Sequence, residues 1–261
     1  MYQTKSYDYK LLSTTTKEYF GPNLTDEVVS TTNYTYKPDK VSLPSEITTT
    51  NSSSETTSTK LFYPSDALEL QNLTPVETSS LNTLQQQHNV GALVRTENYL
   101  NGLKLDVKQV SYAPFGLKIY PQKISSFKGN GENNLEDRVD FYSYFFGLPT
   151  LVSRSSGTKI KYEYNNNLQV VLKIENPINL ELPTTQGTSA PNNSSPCYYQ
   201  NLYPNSMVTS YEYDSATNNL IKITDPKCDI ITYHYDDNNR LLYVKDADGN
   251  ILSENAYNYK N

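Results

Sequence analysis

The segment Asp246-Ala247-Asp248-Gly249-Asn250 sets oxygen-bearing side chains at alternate positions, as a calcium loop does. A helix–loop–helix calcium site also needs a bidentate Glu at its twelfth place. Counted from Asp246 that place is Tyr257, Glu254 comes too early, and the flanks read as strands. Turn chemistry is the better reading, and no metal is expected. His88 and His234 are the only histidines, and neither has a Cys or carboxylate at a familiar ligand spacing. There is no Gly-x-Ser-x-Gly elbow, so a nucleophilic triad could arise only by spatial convergence. The run from Lys128 to Asn134, KGNGENN, lacks the third Gly and the Lys-Ser/Thr of a phosphate-cradling loop and reads as a polar loop. The adjacent carboxylates Glu136–Asp137 and Asp236–Asp237 would point to opposite faces of a strand, so neither pair can flank one glycosidic bond. No catalytic residue and no cofactor is assigned, and the chain reads as a non-enzyme.

The remaining chemistry is that of tyrosine. The 261 residues include 24 Tyr, 7 Phe and no Trp. Exposed Tyr beside Asn or Asp could stack on sugar rings. Packing of Tyr across neighbouring strands is the preferred reading, with carbohydrate binding as the alternative and a glycan-processing enzyme as the remotest one. Hydrophobic residues make up 36% of the chain, which suits sheets with a small core whose rings keep their hydroxyls wet. The net charge of −6, with no Lys/Arg block, argues against a nucleic-acid partner. No apolar run reaches the roughly 20 residues of a membrane helix. The N-terminus MYQTKSYDYK has no apolar signal core and reads as a strand already under way, so the expectation is the C-terminal piece of a longer chain. Cys197 and Cys228 allow one disulfide or two unpaired thiols. Asn-x-Ser/Thr acceptors at Asn23, Asn33, Asn51, Asn72, Asn192 and Asn193 would matter only in a eukaryotic secreted protein.

Short alternating runs must position these groups. TKLFYP, LKLDVKQVSYAPF, RVDFYSYFF, GTKIKYEY and LQVVLKIEN each read as a strand. The Thr-rich stretch from Ile47 to Thr59 reads as an exposed, edge-like hairpin turning at NSSSE. Asn101-Gly102 is a strong two-residue hairpin signal. Residues 79–89 have Leu81 and Leu84 at helical spacing and Gly91 just beyond, which predicts one short helix. The tract from Pro183 to Cys197 reads as a polar loop or linker.

Tyr pairs then recur. Tyr142 to Tyr162 is 20 residues, Tyr211 to Tyr233 is 22, and Tyr233 to Tyr257 is 24. Each interval fits two strands and two turns. Asp after the second Tyr begins a turn, and Gly249 can take the positive φ of the opposite turn. The pattern YxYDxxxRLxxVxDxxGNxxxxxxYxY, carried by Tyr233, Tyr235, Asp236, Arg240, Leu241, Asp246, Gly249, Asn250, Tyr257 and Tyr259, resembles the YD repeat of RHS-repeat proteins. Tyr211, Tyr213 and Asp214 open an earlier copy, in which Asn219 stands at the usual Arg and Cys228 at the usual Gly. The segment from Lys128 to Asn261, apart from the polar loop, is similar to the C-terminal part of such proteins from Bacteroidetes. Matching over Tyr34 to Gln122 is weaker.

The resemblance implies an exported, surface-associated bacterial protein. In well-understood relatives such repeats wind into a hollow β-shell around a toxin; the present stretch is short for a shell, and no toxin tail is recognisable after Asn261. Together these readings give an all-β fold: an elongated, curled antiparallel meander of YD-repeat hairpins. The expected divisions are a divergent β-rich region at 1–127, degenerate repeats at 128–182, a polar loop at 183–197 and C-terminal repeats at 198–261. The expected partners are a surface glycan or protein and upstream repeats of the parent chain. The expected location is extracellular or at the cell surface. The last hairpin is expected to turn at Asp248 and Gly249 and return as a strand from Ile251 to Tyr259. Leu242 and Val244 should share one face of its first strand, with Asn261 as a natural end or repeat boundary.

Overall fold

The computed structural model describes residues 10–21, 26–37, 43–129, 135–154, 157–177 and 197–257. Several sequence readings lie outside these residues. They are the N-terminal strand, the loop at 130–134, most of the polar tract at 183–197, the acceptors Asn23, Asn192 and Asn193, and Tyr259.

Sixteen strands follow one another as an antiparallel meander, each hydrogen-bonded to its neighbours in sequence. The chain divides into two compact units, Met1–Asp140 and Phe141–Asn261. The first holds β1 (Ser13–Phe20), β2 (Asp26–Tyr36), β3 (Pro44–Asn51), β4 (Thr56–Phe62), β5 (Arg95–Leu100), β6 (Leu103–Phe115), β7 (Lys118–Lys128) and the start of β8 (Glu136–Phe145). The second holds the end of β8, then β9 (Leu148–Arg154), β10 (Lys159–Tyr164), β11 (Val170–Glu175), β12 (Met207–Tyr213), β13 (Leu220–Thr224), β14 (Ile230–Tyr235), β15 (Leu241–Lys245) and β16 (Ile251–Glu254).

Local chemistry explains most of the turns. Asn101 and Gly102 take φ of 48° and 81°, the mirror-image turn that suits the twist of β5 and β6. Phe146 and Gly147 take nearly the same pair, 47° and 86°, between β8 and β9. The Thr-rich segment does form a hairpin, β3–β4. It is not an edge, because β2 pairs with β3 and β5 pairs with β4. Threonine serves an inner strand here because its hydroxyls bond across the sheet, as in Thr32 to Thr49 at 2.9 Å and Thr50 to Thr56 at 3.3 Å.

The helix is α1, Pro75–Gln86, and it starts earlier than its leucine spacing suggested. Thr74 and Glu77 form a reciprocal capping box, with Thr74 N–H donating to Glu77 Oε2 at 2.8 Å and Glu77 N–H to Thr74 Oγ1 at 3.2 Å. Its end is a Schellman motif built on His88 rather than Gly91. His88 takes φ 58°, His88 N–H donates to the Gln85 carbonyl, and Asn89 N–H to the Leu84 carbonyl. A 3-10 turn at Pro64–Glu69 and a second helix, α2 (Tyr198–Leu202), are additional to the one helix expected.

Within each unit the apolar core sits where a helix covers the sheet. In the first it is Leu81, Leu84, Val94 and Tyr112. In the second it is Leu172, Ile174, Tyr203 and Val208, with Tyr199 packed against it. Among strands without a helix, every residue of β14 and β15 is intermediate in exposure and every residue of β1 and β16 is exposed. Leu84→Ala should therefore lower the unfolding free energy by about 2–5 kcal/mol in a urea titration. Leu252→Ala, at a side chain 57% exposed, should change it by less than about 0.5 kcal/mol. Equal losses at the two sites would contradict this placement of the core.

Candidate functional site

The repeat residues form one local device that recurs along the sheet. Tyr235, the last residue of β14, donates its hydroxyl to the carbonyl of Leu220, the first residue of β13, at 2.9 Å. Tyr213 ends β12 and reaches Val170 at the start of β11 at 3.0 Å. Tyr164 ends β10 and reaches Pro149 near the start of β9 at 2.8 Å. Tyr257, three residues past β16, reaches Leu241 at the start of β15 at 2.9 Å. In the first unit Tyr36 bonds to Leu11, Tyr63 to Pro44 and Tyr112 to Leu93, at 3.0, 3.1 and 3.1 Å. Among the described residues seven tyrosines thus tie the region at or near the far end of one strand back to the start of the strand before it.

A bulge accompanies the tie. The register with the following strand slips by one residue at Tyr36, Tyr112, Tyr164, Tyr213 and Tyr235. The extra residue lies on the following strand, for example Leu242, between the paired Leu241 and Tyr243. Leu242 is thus the residue at which the β14–β15 ladder skips a step. The returning strand β16 also ends at Glu254 rather than continuing to Tyr259. Asn255 Nδ2 and the Tyr257 hydroxyl converge there on the Leu241 carbonyl.

The residue after the tyrosine closes the turn. Asp236 Oδ1 accepts from the N–H groups of Asn238 and Arg240, both at 2.9 Å, and Asn239 takes φ 60°. Asn51, Asn165, Asp225 and Asp246 each accept from the N–H groups two and four residues on. The left-handed position of those turns is filled by Ser54, Leu168, Cys228 and Gly249. Asp214 opens a turn one residue longer and accepts from Ala216 and Thr217. Asn219, where the repeat usually has Arg, donates at 3.2 Å to Asn239 Oδ1 in the turn that Asp236 opens. Arg240 instead bonds to Asp236 Oδ2 through Nε at 2.7 Å and lies 4.7 Å from the centre of the Tyr257 ring.

These bonds fix the carboxylates. The Arg240 side chain and backbone hold Asp236 below the usual carboxyl range, the Asn250 side chain does so for Asp246, and the Thr217 N–H and hydroxyl for Asp214. Both oxygens of Asp246 serve their own turn, Oδ2 accepting from Asn250 Nδ2 at 2.9 Å. No group of three or more His, Cys, Asp or Glu suited to a metal occurs among the described residues. His234 stacks on its cross-strand neighbour Tyr243 at 4.5 Å, and His88 caps α1. Asp236 and Asp237 lie in a turn, while Asp137 bonds to Lys123 and Ser125. The two cysteines form a disulfide.

Sequence reasoning missed one polar cleft of about 280 Å³ in the first unit, lined by Phe62, Glu69, Gln71, Asn72, Arg95, Glu97 and Gln109. Arg95 Nη2 sits 2.6 Å from Glu97 Oε1, and Tyr99 donates to Glu97 Oε2 at 2.5 Å. Burial would raise the Glu97 carboxyl, but Tyr99 and Arg95 outweigh it and hold the group low. Glu97 is thereby an acceptor rather than a proton donor. The signal in the sequence was the Arg-x-Glu pair on β5, which places both charges on one face.

No family model and no curated protein matches the chain. Among solved structures it is similar to TcdB2-TccC3, at 13% identity and TM-score 0.36 over 87% of this chain and 13% of that chain. It is also similar to TcdB2-TccC3-Cdc42, at 12% identity and TM-score 0.36 over 86% and 12%. A Photorhabdus luminescens Tc holotoxin pore matches at 12% identity and TM-score 0.36 over 87% and 12%. The chain thus spans about one eighth of the length of these chains.

Two outcomes test the device. Tyr235→Phe should destabilise the protein by about 1 kcal/mol in a denaturant titration, the net worth of one hydrogen bond. Tyr162→Phe, at a hydroxyl without a hydrogen bond among the described residues, should change little. For pH, a carboxyl held low in the folded state contributes stability that is present above its unfolded pKa, near 3.9, and is lost as pH falls through the lower folded value. Stability should therefore decline below about pH 4, and Asp236→Asn should flatten that decline in acid titrations followed by circular dichroism. An unchanged slope would contradict the role given to Asp236.

Proposed function

We propose that the chain is a non-catalytic YD-repeat β-scaffold of a cell-surface or secreted bacterial protein, acting as an interaction platform or as part of a larger RHS-type shell. The observation that carries this is the use of the repeat residues themselves. Tyr164, Tyr213, Tyr235 and Tyr257 donate to strand carbonyls, and Asp214, Asp236 and Asp246 accept from their own turns. Groups so occupied hold hairpins in series and leave little chemistry for a substrate. No helix among the described residues is long and apolar enough to cross a membrane.

The turns that open at Asn165, Asp225, Asp236 and Asp246 share one construction, and Asp214 opens a version one residue longer; such recurrence is what an extendable array requires. Turns at one end are also tied together: Asn167 Nδ2 donates to Asn218 Oδ1 at 2.6 Å, and Gln169 Nε2 to the Asn218 carbonyl at 2.9 Å. Upstream repeats would extend the series by the same bonds. Carbohydrate binding would instead use exposed rings such as Tyr142 and Tyr257, but Lys159 lies 4.7 Å from the first ring centre and Arg240 as close to the second. Those cations compete for the faces a sugar would need.

Affinity electrophoresis through gels containing cell-wall polysaccharides, run beside assays with chromogenic glycosides and esters, separates the readings. The scaffold reading expects unchanged mobility and no turnover. Retardation relieved by Tyr142→Ala would favour the carbohydrate module, and saturable turnover would overturn the non-catalytic assignment.

A further inference from the structure

We infer that the Cys197–Cys228 disulfide is a redox-sensitive staple, which holds α2 closed over a buried face of β10 to β12 and which a dithiol reductant opens. The helix it anchors has five residues and no side-chain cap at its first turn, too little to persist without outside support. Beyond the packing of Tyr199 and Tyr203 on the sheet, a covalent and a hydrogen-bonded attachment supply that support. At the N-terminal end Cys197, the residue just before the helix, is bonded to Cys228. From the middle of the helix Gln200 accepts from the Val208 N–H at 3.1 Å and donates to the Ser206 carbonyl at 2.7 Å.

The choice of Cys228 is itself informative. It takes φ 72° in the turn Asp225–Asp229, the left-handed place that Gly249 fills in the turn Asp246–Asn250. A side chain is disfavoured there, and Asp225 closes the turn through backbone N–H groups without any help from the thiol. The residue is explained by what it bonds to rather than by the turn.

Beneath α2 lie groups that water would otherwise reach. Leu172 and Ile174 are fully buried, and Val208 nearly so. On the same face Lys161 pairs across the sheet with Ile174 and Glu163 with Leu172. Lys161 Nζ and Glu163 Oε1 are 3.1 Å apart, with the Glu163 side chain wholly inaccessible. Tyr199 and Tyr203 pack against Leu172, Ile174 and Val208, and neither hydroxyl has a hydrogen-bond partner among the described residues. Burial, with the Glu163 charge adding to it, pushes the Tyr203 hydroxyl up to about 12. The disulfide keeps the helix within reach of this face.

The redox step is complete as it stands. A dithiol thiolate attacks one sulfur of Cys197–Cys228 and displaces the other as a thiolate. Its second thiol then resolves the mixed disulfide, leaving two protein thiols and an oxidised, cyclic reductant. The staple would be closed in an oxidising compartment and open in a reducing one.

Hydrogen exchange with mass-spectrometric detection on the full chain, with and without dithiothreitol, tests this. Reduction should speed exchange about tenfold or more across 159–176 and 197–210 while leaving 230–254 unchanged, the mark of local opening. The double variant Cys197→Ser/Cys228→Ser should show the fast pattern whether or not reductant is added. Unchanged exchange on reduction would overturn the inference. So would equal acceleration across 230–254, which is global unfolding, or two titratable thiols in the protein kept under air.

Discussion

A tyrosine hydroxyl bonded to the backbone of the strand before it is the interaction on which the rest of this sheet depends. A long meander of short strands has little apolar surface to bury away from its helices, so the hydrophobic effect alone cannot set its register. Each tie fixes the position of one strand end relative to its neighbour. Tyr235 on Leu220 and Tyr213 on Val170 do so in successive hairpins, at 2.9 and 3.0 Å. The ring covers the strand it crosses, and the hydroxyl finds its partner at a carbonyl. This suits a chain rich in Tyr and lacking Trp.

Bulge and turn follow from the same arrangement. Where the tyrosine ends its strand, the next strand accommodates an extra residue, Val171 in β11, Ile221 in β13 and Leu242 in β15. Such bulges increase local twist and bend the strand. The Asp or Asn that follows fixes the turn by satisfying N–H groups that the strands cannot reach. The device therefore works as a unit of tyrosine, bulge and side-chain-closed turn, and repeating the unit extends the sheet.

Much of this was legible, and the limits are physical. Asn101-Gly102 announced its hairpin because a turn with two positive φ angles is decided by two residues alone. The strand at Leu103–Phe115 was readable from alternation, and the Leu81–Leu84 face of α1 from helical spacing. The start of α1 was missed because it is written in Thr74 and Glu77, a reciprocal cap, and not in hydrophobic period. Composition alone reads the Thr-rich hairpin as an edge, because it cannot distinguish hydroxyls that face water from hydroxyls that bond across strands. The bulges were invisible, since a one-residue slip leaves no mark in a pattern of alternating residues. The disulfide stayed undecided, because two cysteines 31 residues apart in sequence give no sign that the fold brings their Cα atoms to 5.2 Å.

The most direct test of the account is the exchange of tyrosine hydroxyl protons, followed by nuclear magnetic resonance on protein labelled at tyrosine. Hydroxyls tied to a strand carbonyl exchange slowly with water, and free ones exchange at once. The account predicts slow, observable hydroxyl signals for Tyr164, Tyr213 and Tyr235, and none for Tyr162, Tyr211 and Tyr233. Slow signals from the second set, or rapid exchange throughout the first, would contradict it.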